Sequence, residues 1–274
     1  MPEVIEAEIT KQKLALAIKG KRILRFRTDW ARGLESEEGS VAKTNKALKG
    51  LKVKNIDREG KVVVINLEKG KTLSLHQRMS GHIRYADEKN AKLGPHAHFI
   101  FYLDDGSKFA LIDPRKFGTV WFGSNEWLAE RPYIKKLGEN VLDIGKKDFN
   151  EIFNNSKAQV KSFMLRQDKL AGLGNIAVDE ILWKARIHPK TKVNQLTAKQ
   201  KTQIYKAMYS VLADVLRHGG TSMSDWYHPD GKIGKYQERF KIYDREFCPG
   251  CRSKIKKIKI AGRGTYFCPR CQLK

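Results

Sequence analysis

Residues 3–20 set Ile5, Ile9, Leu14, Leu16 and Ile18 among Glu6, Glu8, Lys11 and Lys13. Ile5, Ile9, Leu14 and Ile18 recur at four- to five-residue intervals, which predicts an amphipathic helix that Gly20 ends. From Ile23 the texture changes to short strands. Val62–Leu67 and Thr72–Leu75 are joined by Glu68-Lys69-Gly70-Lys71. Phe99–Leu103 and Lys108–Ile112 flank Asp104-Asp105-Gly106. Each arrangement predicts a β-hairpin. Thr119–Phe122 adds a strand, and the polar stretch Leu34–Lys49 reads as a loop with a short helix. This half is expected to be a β-sandwich or barrel with a helix at its start.

After Trp127 the pattern turns helical, with short helices expected over 146–155 and 157–167. Asn175 is a candidate cap for a helix running to Ala185, which His188-Pro189 closes. Thr197 to Gln200 forms a capping box. It opens a long helix with Ile204, Met208, Val211, Leu212 and Val215 on one face, stopped by Gly219-Gly220. Residues 221–241 read as a loop with Trp226, Tyr227 and Tyr236 interspersed. The fold class is therefore α+β and multidomain. The expected boundaries are 1–127, a hinge over 128–146, a helical domain over 147–241 and a cysteine-bearing appendage over 242–274.

Charge narrows the partner. The 274 residues carry a net charge of +24 and a pI of about 9.9. A positive field of that size points to a polyanion, whether DNA, RNA or an acidic membrane. No apolar run approaches the roughly 20 residues of a membrane span. The acidic start, Met1-Pro-Glu-Val-Ile-Glu6, lacks the shape of a signal peptide. A cytoplasmic, nucleoid-associated location is expected.

All four cysteines fall in two knuckles, Cys248-Pro-Gly-Cys251 and Cys268-Pro-Arg-Cys271. Paired CxxC elements at this separation read as one structural zinc site with a closed four-thiolate shell. Two disulfides are the alternative, which a reducing location disfavours. Between the knuckles lie Lys254, Lys256, Lys257, Lys259 and Arg263 and no acid, so the metal would shape a cationic hairpin.

Other stretches could carry chemistry. Removal of Met1 before Pro2 would leave a secondary amine, able to attack an electrophilic carbon and form an iminium, with Glu3 beside it as a proton donor. Met79-Ser-Gly81 and Asp113 to Gly118 place Met79, Arg115 and Phe117 on turns after strands, as a DNA-kinking surface requires. Gly172-Leu-Gly-Asn175 before a helix is a candidate phosphate-binding turn. Lys61 stands at the head of a strand. His76, His82, His96 and His98 form no clear metal site or triad.

Taken in order, these pieces resemble the formamidopyrimidine-DNA glycosylase family, which also contains endonuclease VIII. The resemblance rests on Met1-Pro-Glu3 with Glu6 and Glu8, Gly60-Lys61, Met79 to Gly81, His96-Ala-His98 and Asp113 to Gly118. It continues through Gly172 to Ile176, Glu180, His188-Pro189, Gly219 to Thr221, Asp230 to Lys232, Gly262 to Tyr266 and Cys268 to Gln272. It implies a bifunctional DNA glycosylase and AP lyase, and a monomer is expected because one chain supplies all the parts. The N-terminal half would be a β-sandwich, and the C-terminal half a helix–two-turns–helix domain with the zinc finger.

By the same resemblance, the Pro2 nitrogen attacks C1′ of a flipped-out damaged nucleotide and Glu3 protonates the opening sugar. Lys61 and Arg263 grip phosphates and assist elimination. Met79, Arg115 and Phe117 fill the hole left by the extruded base. His96, Lys157, Lys161 and Asn175 contact phosphates of double-stranded DNA containing damaged bases or abasic sites. Glu6, Thr221, Ser222 and Tyr236 line a lesion pocket, over which the 221–238 loop closes on an oxidised purine.

The chain departs from the family pattern at Ile5, Ala7, Ala177 and Arg166, which bears on the first helix and on the packing under the phosphate-binding turn. Two other readings remain at this stage: an endonuclease VIII-like enzyme for oxidised pyrimidines, and a zinc-ribbon DNA-binding relative without chemistry.

Overall fold

The structure is a computed structural model that describes residues 2–87, 91–154, 156–223 and 226–273. These residues form two compact units, 1–136 with 219–235, and 137–218 with 236–274.

The first unit opens with α1 (Val4–Ile18), followed by β1 (Ile23–Thr28), β2 (Leu34–Ser36) and α2 (Val41–Leu48). Next come β3 (Val53–Glu59), β4 (Val62–Leu67), β5 (Lys71–His76), β6 (His82–Ala86), β7 (Ala97–Leu103), β8 (Lys108–Ile112) and β9 (Thr119–Ser124). Short helices α3 (Asn125–Ala129) and α4 (Pro132–Lys135) end the run. One sheet has strand order β1-β7-β8-β6 and the other β2-β9-β5-β4-β3.

The core contains inward residues of both sheets: Phe26, Phe99, Phe101 and Phe109 from the first, Val63, Ile65, Leu73 and Phe122 from the second. Leu14 and Ile18 of α1 and Leu48 of α2 join them. The expected β-sandwich is therefore present. β4 opens with four consecutive apolar residues, Val62 to Ile65, because both its faces are covered. Val63, Ile65 and Leu67 enter the sandwich, while Val62 and Val64 pack with Trp121 and Leu128 on the other side.

α1 differs from the amphipathic helix expected. Every residue from Val4 to Thr10 is buried, including Glu6 and Glu8. A helix enclosed on all sides must satisfy its polar groups internally. Thr10 Oγ1 donates to Glu6 O at 2.7 Å, and Glu8 accepts from Lys11, Gln12 and Arg58.

The second unit holds β10 (Glu139–Asn140), α5 (Lys146–Ile152), α6 (Val160–Met164), β11 (Leu170–Ala171), α7 (Asn175–Ala185) and α8 (Ala198–Arg217). The hairpin β12 (Lys256–Ile260) and β13 (Arg263–Phe267) completes it. α8 starts at the expected Thr197 capping box. α5 and α6 are shorter than the 146–155 and 157–167 expected. α7 is capped by Gly174, and Asn175 is its first helical residue. The Asn175 side chain turns away from the helix terminus to donate to Gly264 O at 3.0 Å, which corrects its expected capping role.

Candidate active site and zinc centre

Pro2 is buried and leads directly into α1. Glu3 is the N-cap, and Glu3 and Glu6 form a reciprocal capping box in which Glu3 N donates to Glu6 Oε2 at 2.8 Å. The other Glu6 oxygen accepts from Thr221 N at 2.8 Å. Glu6 is 2% exposed. Burial, reinforced by the neighbouring Glu3 charge, pushes its carboxyl above the ordinary range, and the backbone donors only partly oppose this. Met1 lies outside the described residues.

Lys61 is joined to this pole through Arg58. Arg58 Nε pairs with Glu8 Oε2 at 3.0 Å, and its Nη1 donates to Gly60 O at 2.7 Å. The turn carrying Lys61 is thus tied to α1. Register pairs Val62 with His76, and the nearby charges of Lys61 and Arg78 add to burial in holding the His76 imidazole well below its usual pKa. His76 is therefore a neutral ring beside two cations, a neighbour that motif reading passed over. The pairing of β4 with β5 was the available signal.

Met79, Arg115 and Phe117 come together through one residue whose role the sequence did not announce. Asp113 accepts from Ser80 Oγ at 2.5 Å, Arg115 N at 3.2 Å, Phe117 N at 2.7 Å and Gly118 N at 2.6 Å. One buried carboxylate therefore joins the turn after β5 to the turn after β8. Gly118 is required there, because a Cβ would meet Leu111 Cδ2 at 2.9 Å. Met79 and Phe117 remain 44% and 45% exposed, and the Arg115 guanidinium lies 4.6 Å from the Phe117 ring centroid. Large apolar side chains held out in water on rigid turns suit a wedge. His96 is exposed at φ +65°, and its carbonyl accepts from Asp113 N at 3.0 Å.

The segment 219–235 belongs to this unit. His228 Nε2 bonds Gly219 O at 2.7 Å, and Trp226 Nε1 donates to Gln77 Oε1 at 3.2 Å. Lys13 pairs with Asp230 at 2.7 Å, and Gly234 N donates to Ser222 Oγ at 2.9 Å. Positions 224–225 of the expected closing loop lie outside the described residues. Glu6 and Thr221 are brought together as expected, with Ser222 beside them. Tyr236 is placed instead in the second unit, 2% exposed against His218 and Phe240.

In the second unit Lys161 corrects an expectation. Its side chain is fully buried, so its ammonium does not face solvent phosphate. It pairs with Asp179 Oδ1 at 2.7 Å and donates to Gly264 O at 3.0 Å. Asp179 Oδ2 accepts from Tyr266 N at 3.0 Å. With Asn175, this arrangement clamps the backbone next to Arg263. Ala261 and Gly262 both have positive φ, forming the tight turn of the hairpin, and Arg263 is exposed just beyond it. Lys157 is also exposed. Gln167 accepts from Gly172 N at 3.0 Å and donates to Leu173 O at 3.0 Å, holding the glycine turn. Arg166 forms a surface pair with Asp168, at 3.0 Å through Nε and 2.5 Å through Nη2, so this departure leaves the turn's support in place. Ala177 is buried in α7. Glu180, 1% exposed, accepts from the backbone N–H groups of Lys241, Ile242 and Tyr243 and fixes the approach to the finger.

The four cysteine sulfurs all lie within 4.8 Å of one another. Cys248 and Cys271 are 3.8 Å apart and Cys251 and Cys268 3.4 Å. These separations are far beyond the roughly 2.05 Å of a disulfide. They match the edges of a tetrahedron with metal–sulfur bonds of about 2.3 Å. The donor set fits one structural zinc ion.

A sandwich unit with Pro2 buried at the start of its first helix, a helical unit and a cationic four-cysteine finger define a multidomain class with a structural zinc site. The formamidopyrimidine-DNA glycosylase N-terminal domain model matches residues 1–120. The formamidopyrimidine-DNA glycosylase H2TH domain matches 139–226. The zinc finger found in FPG and IleRS matches 245–273. The formamidopyrimidine-DNA glycosylase of Pelotomaculum thermopropionicum is 34% identical, covering 99% of each chain. That of Chloroflexus aurantiacus is also 34% identical, covering 100% of this chain and 98% of its own. Among solved structures, a complex of the Lactococcus lactis Fpg with abasic-site DNA matches with a TM-score of 0.89 at 32% identity, over 99% of this chain and 100% of that one. The MutM (FPG) protein of Thermus thermophilus gives 0.88 at 30% identity, over 99% and 98%. The chain belongs to the formamidopyrimidine-DNA glycosylase family.

Proposed function

We propose that this protein is a bifunctional DNA glycosylase and AP lyase that excises oxidised purines from double-stranded DNA and nicks the strand. The observation that carries the reading is the buried Pro2 at the positive end of α1, with Glu3 and the buried Glu6 carboxyl beside it. A secondary amine in that position is disfavoured from protonating by the helix dipole, which leaves its lone pair free to attack. With Met1 removed, the Pro2 nitrogen attacks C1′, the bond to the base breaks, and Glu3 delivers a proton to the sugar ring oxygen as it opens. The resulting iminium acidifies the C2′ proton, and successive losses of the 3′ and 5′ phosphates complete the nick. Lys61, on a turn tied to α1 through Arg58, is the cation suited to grip a phosphate there.

A base inside the stack is out of reach, and extruding it costs about a few kcal/mol. Met79 and Phe117, with Arg115 stacked on the ring, would fill the vacated space and offset that cost. Arg263, Lys157 and His96 are exposed cations or rings suited to phosphate. The complete Met79, Arg115 and Phe117 cluster, organised by Asp113, supports the oxidised-purine branch over an endonuclease VIII-like preference for pyrimidines. The zinc ion supplies only the fold of the finger, since its closed shell offers no open position.

The test is borohydride trapping with mature protein, its N-terminal residue verified, on duplex DNA carrying 8-oxoguanine opposite cytosine. The expected result is a covalent adduct that disappears in Pro2→Gly and when Met1 is retained. Tight binding without an adduct on this or any oxidised-base or abasic duplex would leave a non-catalytic DNA-binding relative.

A further inference from the structure

The first unit carries a second cationic surface at the pole opposite Pro2. On α2, Lys43 and Lys46 are three residues apart, and Lys49 at the C-cap continues that interval. Residues at this spacing leave a helix on one side. Lys69, in the β4–β5 turn with φ +59°, and Lys71 border the same groove, whose volume is about 480 Å³. Lys71 is committed to Glu37 and Glu38, at 3.0 and 3.1 Å. Lys43, Lys46, Lys49 and Lys69 are exposed, and none has an ion pair among the described residues.

Two rulers place this surface away from the N-terminal site. α1 has 15 residues, about 22 Å of helix. Just past its end, Gly20 N donates to Val53 O, and Ile23 N donates to Leu51 O beside Lys49 and Gly50. β4 has six residues, about 20 Å of strand. Lys61 precedes its first residue and Lys69 follows its last by two. The groove and the Pro2 pole therefore lie at opposite ends of the same elements.

We propose that this groove is a second docking surface for duplex DNA, holding the phosphates of a segment other than the one engaged at the Pro2 pole. The proposal rests on the DNA-binding reading above and goes beyond it. From Lys43 to Lys49 is about 9 Å along the helix, and duplex DNA offers one phosphate charge per about 1.7 Å of axis. Lysines on flexible stems suit backbone phosphate and read no base edge. The exposed large apolar residues of this unit, such as Leu16 and Met79, do not border the groove. No aromatic side chain lines it, so it offers no stacking platform for single strands. A protein holding two segments could pass between them without first dissociating.

The test uses full-length protein saturated with an unlabelled duplex carrying an abasic-site analogue. A labelled undamaged duplex is then added and its anisotropy followed against salt. Wild type should bind this second duplex. Lys43→Gln/Lys46→Gln/Lys49→Gln/Lys69→Gln should weaken that binding at least tenfold and reduce its log–log salt slope by about 3–4, with binding and cleavage of the first duplex unchanged. Absence of second-duplex binding, or equal binding by the variant, would overturn the proposal. So would capture of wild type by anionic lipid vesicles without second-duplex binding. A protein that binds no lesion duplex would instead refute the glycosylase reading. The groove is then still tested by comparing the salt slopes of wild type and variant on undamaged duplex alone.

Discussion

Replacing Lys161 with methionine gives the sharpest test of the clamp beside Arg263. Methionine nearly fills the lysine stem's space but removes the ammonium. That leaves the Asp179 carboxyl, 1% exposed, facing no cation, and strips one of two side-chain donors from Gly264 O. Breaking a buried pair from one side costs about 3–5 kcal/mol. The lower end applies, because Asp179 can take up a proton. Burial already pushes its carboxyl up to about 6, against the opposing pull of the Lys161 charge and hydrogen bond. Without Lys161 it rises further.

The sign of the pH dependence follows. A carboxyl whose folded pKa exceeds its unfolded value of 3.8 favours the native state below that value, and this stability is lost as pH rises through the folded pKa. Lys161→Met should therefore lie about 3 kcal/mol below wild type at pH 7.5 and within about 1 kcal/mol at pH 5, where both chains hold Asp179 protonated. Urea unfolding of zinc-loaded protein at several pH values measures it. In Lys161→Met/Asp179→Asn the stranded charge is absent, so the combined loss should fall short of the sum by about 0.5–3 kcal/mol. A single variant as stable as wild type at pH 7.5, or a loss independent of pH, would refute the reasoning. A phosphate-contacting Lys161 would instead leave stability unchanged and lower the DNA-binding salt slope by about 1.

Three further outcomes are expected. Arg58→Met removes one of three donors to Glu8, which keeps Lys11 and Gln12, and should cost about 1.5–3 kcal/mol near neutral pH. Burial raises the Glu8 carboxyl, but its bonds to Arg58, Gln12 and Lys11 outweigh this and hold it below 4.5. That stability is present above 4.5 and is lost as pH falls through the folded pKa, so urea midpoints of wild type and variant should converge in acid. Phe101, stacked between Phe26 at 4.9 Å and Phe109 at 4.7 Å, should cost about 3–5 kcal/mol on truncation to alanine, read as a lowered thermal midpoint of the first unit. Cys268→Ser should reduce bound zinc from about one ion per chain towards none, because the tetrahedral shell is then incomplete. Metal analysis measures this, and limited proteolysis should show cleavage between Phe247 and Gln272 while the sandwich stays intact.

Much of the fold was legible because its signals are local. The Thr197 capping box and the strands around Glu68 to Lys71 and Asp104 to Gly106 appear where their spacing placed them. Strands β1 and β3 were harder. Their registers shift between Ile23 and Arg25 and between Val53 and Asn55. A bulge breaks the period-two alternation by which a half-buried strand is recognised. β3 is also an edge strand, and its Lys54, Asn55 and Asp57 give it a polar sequence with no strand signal.

The candidate site divides in the same way. Pro2, Glu3, Lys61 and the four cysteines belong to compact motifs, so their order along the chain marked them. The fate of a charged side chain is set by partners remote in sequence, and composition carries no such label. Lys157 and Lys161 stand four residues apart and look alike, yet one is exposed and the other fully buried against Asp179 and Gly264. Arg58 and Asp113 likewise act through partners that only the folded chain supplies. The basic surplus therefore serves separate purposes. Some cations hold the scaffold from within, and those left exposed, including the lysines of α2, form the field that a polyanion meets.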